Sequence, residues 1–91
     1  MDSLLAQRVT TGRAGEIVDD SMVGWTLILN DAKDFSNNKN EWMPKNSSLR
    51  LSIEDATIIR YGQLISPAEL NAGEMLYLVR DDFKTKIIIV K

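Results

Sequence analysis

The sequence predicts a small, mainly β domain that closes into a barrel. Its 91 residues suffice for one hydrophobic core and no more. Apolar and polar residues alternate with a period of two in several short segments, which is typical of strands with one buried face. The fourteen valine and isoleucine residues fall mostly inside those segments. With 44% apolar and 26% charged residues, the composition is that of an ordinary globular domain.

Composition and charge argue against several classes of function. A net charge of −2 and a pI near 5.0 argue against duplex nucleic acid or an anionic membrane as the main partner. The absence of histidine and cysteine removes the commonest general base, thiolate nucleophiles, and zinc–thiolate and iron–sulfur sites. The apolar runs of the chain, such as residues 75–79 and 87–90, are far shorter than the ~18 residues of a membrane helix. We predict a non-enzymatic domain with no cofactor and no membrane insertion.

The first half of the chain predicts two strands and a long loop. Residues 1–8 are expected to be a tail or linker, and residues 9–91 the single barrel domain. The first strand, from Val9 to Val18, contains Gly12 and Gly15, and glycine inside a strand indicates a bulge or a sharp bend. A turn at residues 19–21 leads to a strand over residues 25–29.

Residues 31–48 predict a polar loop, because asparagine, serine and charged residues dominate and Pro44 interrupts any strand pattern. Trp42 is expected either to anchor this loop to the barrel or to add a short strand. We expect Trp42 to be at least half buried, with Phe35 and the asparagines around it exposed to a partner.

The second half predicts three more barrel strands, two short segments joined by a reversal, and one helical turn. A strand over residues 49–53 is followed by two short segments, 57–60 and 63–65, with a tight reversal at Tyr61 and Gly62 between them. Ser66, Pro67 and Glu69 form the start signal of a helical turn that Gly73 can end. Strands 74–80 and 85–91 close the chain. Seven aliphatic residues are predicted to point inward: Leu27, Leu29, Leu51, Ile53, Leu76, Leu78 and Ile88.

The order β-β-β-α-β-β is that of the five-stranded Greek-key barrel known as the OB-fold. We therefore predict an OB-like barrel with one short helical turn between its third and fourth strands. An SH3-like barrel and a small open sandwich are the alternatives.

Residues 53–91 carry a further pattern, which includes the segment YGQLISPAELNAGEMLYLVRDDFKTKIIIVK. It resembles repeats in bacterial cell-surface and S-layer-associated proteins, in which a strand meets a short helical turn followed by a hairpin. Five residues occupy positions of that pattern: Ile65, Ser66, Leu70, Gly73 and Glu74. The resemblance implies a non-catalytic binding or spacer module of a longer extracytoplasmic protein, with another protein or a cell-surface polymer as its partner.

Six residues are candidates for partner binding. Four belong to the predicted polar loop and two to strands: Phe35, Asn37, Asn38, Trp42, Arg50 and Arg60. An alternative function is single-stranded nucleic-acid binding, which stacks bases on aromatics beside arginines. Its candidates are Trp25, Trp42, Tyr61, Tyr77, Arg13, Arg50, Arg60 and Arg80. Trp25 and Tyr77, however, lie among strand aliphatics, which favours a place in the core.

A second alternative is carbohydrate or cation binding by the polar loop. Six oxygen-bearing side chains fall within eleven residues, and hard cations such as calcium prefer oxygen ligands. They are Asp31, Asp34, Asn37, Asn38, Asn40 and Glu41. Their spacing does not match an EF-hand.

Overall fold

A computed structural model describes residues 7–91, which form eight strands and one 3-10 turn. Residues 1–6 of the expected tail lie outside this range. The first strand begins at Gln7, two residues before the expected start. The strands are β1 (Gln7–Asp20), β2 (Gly24–Ser36), β3 (Glu41–Pro44), β4 (Leu49–Ser52), β5 (Thr57–Arg60), β6 (Gln63–Ile65), β7 (Met75–Asp81) and β8 (Lys84–Val90), and the 3-10 turn is Pro67–Glu69.

Five of these strands close into a barrel, in the order β1, β2, β4, β8, β7 and back to β1. All neighbouring pairs are antiparallel except β4 and β8, which are parallel and meet at one residue pair, Ser52 and Lys84. β5 then continues beside β8 in parallel, so β4 and β5 are two halves of one barrel strand. The predicted fold class, a mainly β OB-like barrel, is confirmed. No helix among residues 7–91 is long and apolar enough to cross a membrane.

The glycines of β1 mark two irregularities in its pairing with β2. Gly15 is an extra residue on β1, because Ala14 and Glu16 pair with consecutive residues of β2. Opposite Gly12 the extra residue is on β2, where Asp31 takes a left-handed conformation with φ of 53°. A Cβ on Gly12 would lie 2.7 Å from Cγ of Leu29. The predicted bulges are therefore present, and they let one long strand pair with β7 and then with β2.

The predicted reversal and helical turn are also present. Tyr61 and Gly62 both have positive φ, as a two-residue hairpin turn requires, and they join β5 to β6. In the 3-10 turn the Glu69 carboxylate accepts a hydrogen bond of 2.7 Å from the backbone N–H of Ser66. Gly73 follows with φ of 94°, a conformation that glycine adopts without strain.

The barrel interior contains all seven of the side chains that the alternation predicts, each at most 1% exposed. Trp25 and Leu49 pack against this core from its edge. Ala14, Ala32, Ile58, Leu70 and Val90 complete the buried apolar set. Arg80 is also buried, at 4% exposure, which is rare for a charged side chain unless it is paired.

The prediction that residues 31–48 form one polar loop is wrong. β2 continues through Ser36, and β3 pairs back onto it from Lys33 with Pro44 to Ser36 with Glu41. Strand geometry is retained here because Phe35 and Trp42 pack against each other across the two strands on the outer face, while Asp34 on the opposite face gains an ion-pair partner, Arg80. Trp42 lies on β3, so the short-strand alternative is the correct one.

Candidate functional site

A buried ion pair links the start of the β2–β3 hairpin to β7. Arg80 donates from one terminal nitrogen to both carboxylate oxygens of Asp34, at 3.0 Å each, and from Nε to Oγ1 of Thr10 at 2.8 Å. The Thr10 hydroxyl donates in turn to Asp34 at 2.6 Å. Lys45 approaches the same carboxylate at 3.4 Å. This network fixes where β2 continues beyond the barrel, because Asp34 cannot move without leaving Arg80 unpaired.

Asp34 keeps its negative charge in this setting. Its partial burial acts to raise the pKa of the carboxyl, but the hydrogen bonds from Thr10 and Arg80 act against it, as do the charges of Arg80 and Lys45. The net result is a pKa below the ordinary value of 3.8. The carboxyl of Asp34 is therefore ionised at neutral pH.

Three aromatic side chains cluster on the outside of the barrel beside this pair. Phe35 and Trp42 are cross-strand neighbours that meet edge to face, with ring centroids 5.3 Å apart. Trp42 stacks on Tyr77 of β7 at 6.3 Å, and Nζ of Lys91 lies 4.7 Å from the centre of the Tyr77 ring. Trp42 is 37% exposed, so the expectation that it is at least half buried holds. Phe35 is partly buried rather than exposed, because Trp42 covers its edge.

A polar cavity of about 350 Å³ lies next to this cluster, between the start of β1 and the β2–β3 hairpin. The residues that line it carry three amides, a guanidinium, a carboxylate, an aromatic ring and a valine side chain: Gln7, Asn37, Asn38, Arg8, Asp34, Phe35 and Val9. Asn37, Asn38 and Arg8 are exposed, and no described residue forms an ion pair with Arg8. The cavity thus offers both donors and acceptors, with an apolar surface at Phe35.

Three of the six predicted partner-binding residues meet in this cavity, and a fourth supports it. Phe35, Asn37 and Asn38 line the wall, and Trp42 packs on Phe35. The two arginines lie elsewhere. Arg50 is exposed on the outer surface of β4, where it pairs in register with Ile28.

Arg60 has a structural role, because its hydrogen bonds are made within the fold. Its terminal nitrogen donates to both carboxylate oxygens of Glu74 at 2.7 and 2.8 Å, and to the backbone carbonyl of Glu69 at 2.8 Å. These bonds tie β5 to the segment that contains the 3-10 turn. With its charge paired in this way, Arg60 has little left to offer a ligand.

The aromatics and arginines expected to bind single-stranded nucleic acid do not form one surface. Trp25 packs against the core as expected, but Tyr77, also expected in the core, lies on the outer face at 38% exposure. Tyr61 occupies the β5–β6 turn. Arg60 and Arg80 are engaged in ion pairs.

A second cavity of about 450 Å³ lies at the other end of β3 and is lined by Asn30, Asp31, Lys45, Asn46, Ser47 and Ser48. It has no aromatic wall. Across residues 7–91 no group of three or more acidic side chains is placed to hold a metal ion. Of the six oxygen-bearing residues proposed as cation ligands, Asp34 is already neutralised by Arg80 and Lys45.

Sequence reasoning missed Gln7 and Arg8, which were assigned to the tail. They reach the cavity because β1 pairs with the far end of β2, where Thr10 faces Asp34. The glycines indicate irregularities in β1, but no local pattern predicts which residues of β2 then face the start of β1. The sequence predicts Asp34 as a cation ligand, whereas in the structure it is the ion-pair partner of Arg80.

Comparisons of the chain with protein families, with curated proteins and with solved structures found no match.

Proposed function

We propose that this chain is a non-catalytic binding module, and that the cavity beside Phe35 is its binding site for a hydroxyl-rich ligand, a carbohydrate. The observation that carries this proposal is the lining of the cavity. Three amides, an ionised carboxylate and a guanidinium surround one aromatic ring in a space of about 350 Å³. Ligand sites combine an apolar wall with a few convergent polar groups in this way.

The chemistry of the lining matches a sugar. Each hydroxyl of a sugar both donates and accepts, and the amides of Gln7, Asn37 and Asn38 can satisfy both demands. Asp34 stays ionised but its two oxygens already accept from Thr10, Arg80 and Lys45, so the acceptors left for a ligand are the amide oxygens. The ring of Phe35 offers an apolar surface to the C–H face of a sugar, and Trp42 fixes that ring in place.

A cation fits this site less well than a sugar. Asp34 is the one carboxylate that lines the described cavity, and two cations already contact it. Arg8 on the opposite wall would repel a metal ion. The same positive charge favours sugars that carry a carboxylate, so acidic oligosaccharides should bind better than neutral ones.

The proposal can be tested by titrating isotope-labelled protein with three trisaccharides: chitotriose, maltotriose and trigalacturonate. We expect at least one of them to shift the backbone NMR signals of residues 7–9 and 34–38, with trigalacturonate the strongest. Millimolar dissociation constants, about −4 kcal/mol, are expected for so small a site.

Matched variants decide whether the shifts report this cavity. Asn37→Ala and Asn38→Ala should each weaken binding several-fold, because an amide that bonds a hydroxyl is lost. Asn46→Ala removes an amide from the second cavity and should leave the affinity unchanged. If no trisaccharide moves these signals at ~10 mM, or if Asn46→Ala weakens binding as much as the others, the carbohydrate proposal is wrong.

We further propose that the module works inside a longer bacterial extracytoplasmic protein. The support for this is the resemblance of residues 53–91 to repeats of cell-surface proteins. Sequencing the gene on both sides of the segment tests it: a secretion signal or cell-wall-anchoring repeats in the same reading frame are expected. A complete gene without either would contradict this part of the proposal and leave the binding site untouched.

A further inference from the structure

The outer face of β7, β8, β5 and β6 carries apolar side chains where a solvated sheet surface is normally polar. One row of cross-strand neighbours runs from Tyr77 to Ile89, Ile59 and Leu64, and the adjacent row contains Val79 and Ile87. We call these six side chains the apolar face. Four of them are well exposed: Tyr77 at 38%, Ile87 at 40%, Ile89 at 47% and Leu64 at 75%. Together they expose on the order of 300–600 Å², the size of patch that is often functional on a monomer.

Basic residues border this face. Lys91 lies over the Tyr77 ring and Lys86 is exposed beside Ile87. Neither forms an ion pair with a residue that the structure describes. A partner should therefore present an apolar centre with carboxylates around it.

The β1–β2 turn of the same chain has that chemistry. Met22 is 90% and Val23 61% exposed at its apex. Asp19 and Glu54 are exposed beside it, and Asp20 accepts hydrogen bonds from the backbone N–H groups of Met22 and Val23. The Glu54 carboxylate is fixed against the base of the turn by the N–H of Trp25, at 2.7 Å. We call Asp19, Asp20, Met22, Val23 and Glu54 the acidic tip.

We propose that the acidic tip of one copy of this chain docks on the apolar face of a second copy. In this contact the apolar apex of the tip, Met22 and Val23, packs on the apolar face, and the carboxylates of the tip lie opposite Lys86 and Lys91. A symmetric contact of two apolar faces would instead bring those lysines against their own copies, which is repulsive. The tip and the face are built from different strands, so one molecule can use both at once.

A contact of this kind is heterologous, and repeated use of it produces an open chain of molecules rather than a closed dimer. A turn seated on a sheet buries a small area, at the low end of specific interfaces, so the association is weak. It goes beyond the proposed carbohydrate site, because none of its residues lines that cavity.

The test is sedimentation velocity at protein concentrations from about 10 µM to about 1 mM, the range in which a small interface becomes populated. The weight-average sedimentation coefficient of the unaltered protein should rise without a plateau at the dimer. Met22→Lys disables the tip and Ile89→Gln disables the face, and both positions are exposed enough to keep the fold. Each variant alone should remain monomeric.

Mixing the two variants gives the decisive result. The intact tip of the Ile89→Gln protein can dock on the intact face of the Met22→Lys protein, so the mixture should form one-to-one dimers and nothing larger. Lys91→Glu should weaken the association, whereas Lys39→Glu makes the same charge change on the β2–β3 turn and should not. Monomers of the unaltered protein up to ~1 mM, or an association that Ile89→Gln abolishes and Met22→Lys leaves intact, would overturn the proposal.

Discussion

Arg80 and Asp34, 46 residues apart in the chain, meet through two hydrogen bonds of 3.0 Å from a single guanidinium nitrogen. Their side chains are 4% and 13% exposed. The pair therefore connects the barrel interior to the candidate carbohydrate site, and both parts of the molecule depend on it.

Removing one partner of this pair should be costly. Asp34→Ala leaves the Arg80 charge buried without its partner, and we expect the free energy of unfolding to fall by about 3 kcal/mol. The double variant Asp34→Ala/Arg80→Met should lose less than the sum of the two single changes, since no charge is then left unpaired. Urea denaturation measures all of these.

The exposed ion pair between Lys84 and Asp55 is the control. Its atoms lie 3.7 Å apart, and its side chains are 63% and 73% exposed. Asp55→Ala should change stability by no more than about 1 kcal/mol. Equal losses at Asp34 and Asp55 would show that burial of the Arg80 pair has no energetic consequence.

The depressed pKa of Asp34 predicts a defined pH dependence. Because this pKa is lower in the folded state than the ordinary 3.8, the unfolded chain binds the proton more readily. The stabilising contribution is complete above the unfolded pKa and is lost as the pH falls through the folded pKa. The stability gap between the unaltered protein and Asp34→Asn should therefore be constant above ~pH 5 and shrink below it.

Comparing the two proteins at each pH is necessary because Asp20 also has a lowered pKa, caused mainly by hydrogen bonds from the backbone of Met22 and Val23. That contribution is common to both proteins and cancels in the difference. A gap that stays constant down to ~pH 3 would mean that Asp34 titrates equally in both states.

The tight packing at Gly12 predicts the effect of adding a methyl group there. In Gly12→Ala the new Cβ would lie 2.7 Å from Leu29 Cγ and 2.9 Å from the Asn30 carbonyl oxygen. Both neighbours belong to the paired strand β2, so we expect a loss of about 1–3 kcal/mol. At Gly15 the nearest atom is the amide nitrogen of the Asn30 side chain, which can move at the cost of the hydrogen bond that it accepts from the Ser48 hydroxyl. Gly15→Ala should cost less, as thermal denaturation of the two variants will show.

The aromatic cluster can be monitored through Trp42 in a Trp25→Phe background. Since Trp42 meets Phe35 edge to face and stacks on Tyr77, its fluorescence should be only partly accessible to a soluble quencher. Tyr77→Ala removes one stacking partner and should shift the emission to longer wavelength and increase quenching. Tyr61→Ala, at a separate exposed turn, should not. Free quenching of Trp42 before any change at Tyr77 would contradict the anchoring of this strand.

The strands of the barrel could be predicted from the sequence because their signal is local. Leu51 and Ile53 alternate with polar neighbours, and such alternation leaves one choice of inward face. The Tyr61–Gly62 reversal and the turn that begins at Ser66 can likewise be predicted, because each depends on residues that are consecutive in the sequence. Each of these was found where the pattern indicates.

The hairpin that forms the candidate site could not be predicted in the same way. Its residues have a loop-like composition, and what makes Asp34 a strand residue is Arg80, far away along the chain. The apolar neighbours Leu76 and Leu78 predict a core position for Tyr77, yet those two leucines take the inward positions and leave the tyrosine outside. Trp42 then covers it, a contact between strands that no local pattern contains.

The contact of β4 with β8 is a single residue pair, which has a consequence for the local dynamics of the barrel. Elsewhere in the ring, including the pairing of β5 with β8, ladders of four to nine pairs hold the strands together, but at this β4–β8 seam Ser52 alone faces Lys84. The amide of Ser52 donates to the carbonyl of Phe83 in the adjoining turn, at 2.7 Å. We expect this amide to exchange its hydrogen with solvent well before those of Leu27 and Leu78, because parting the seam exposes it while the remaining ladders stay paired.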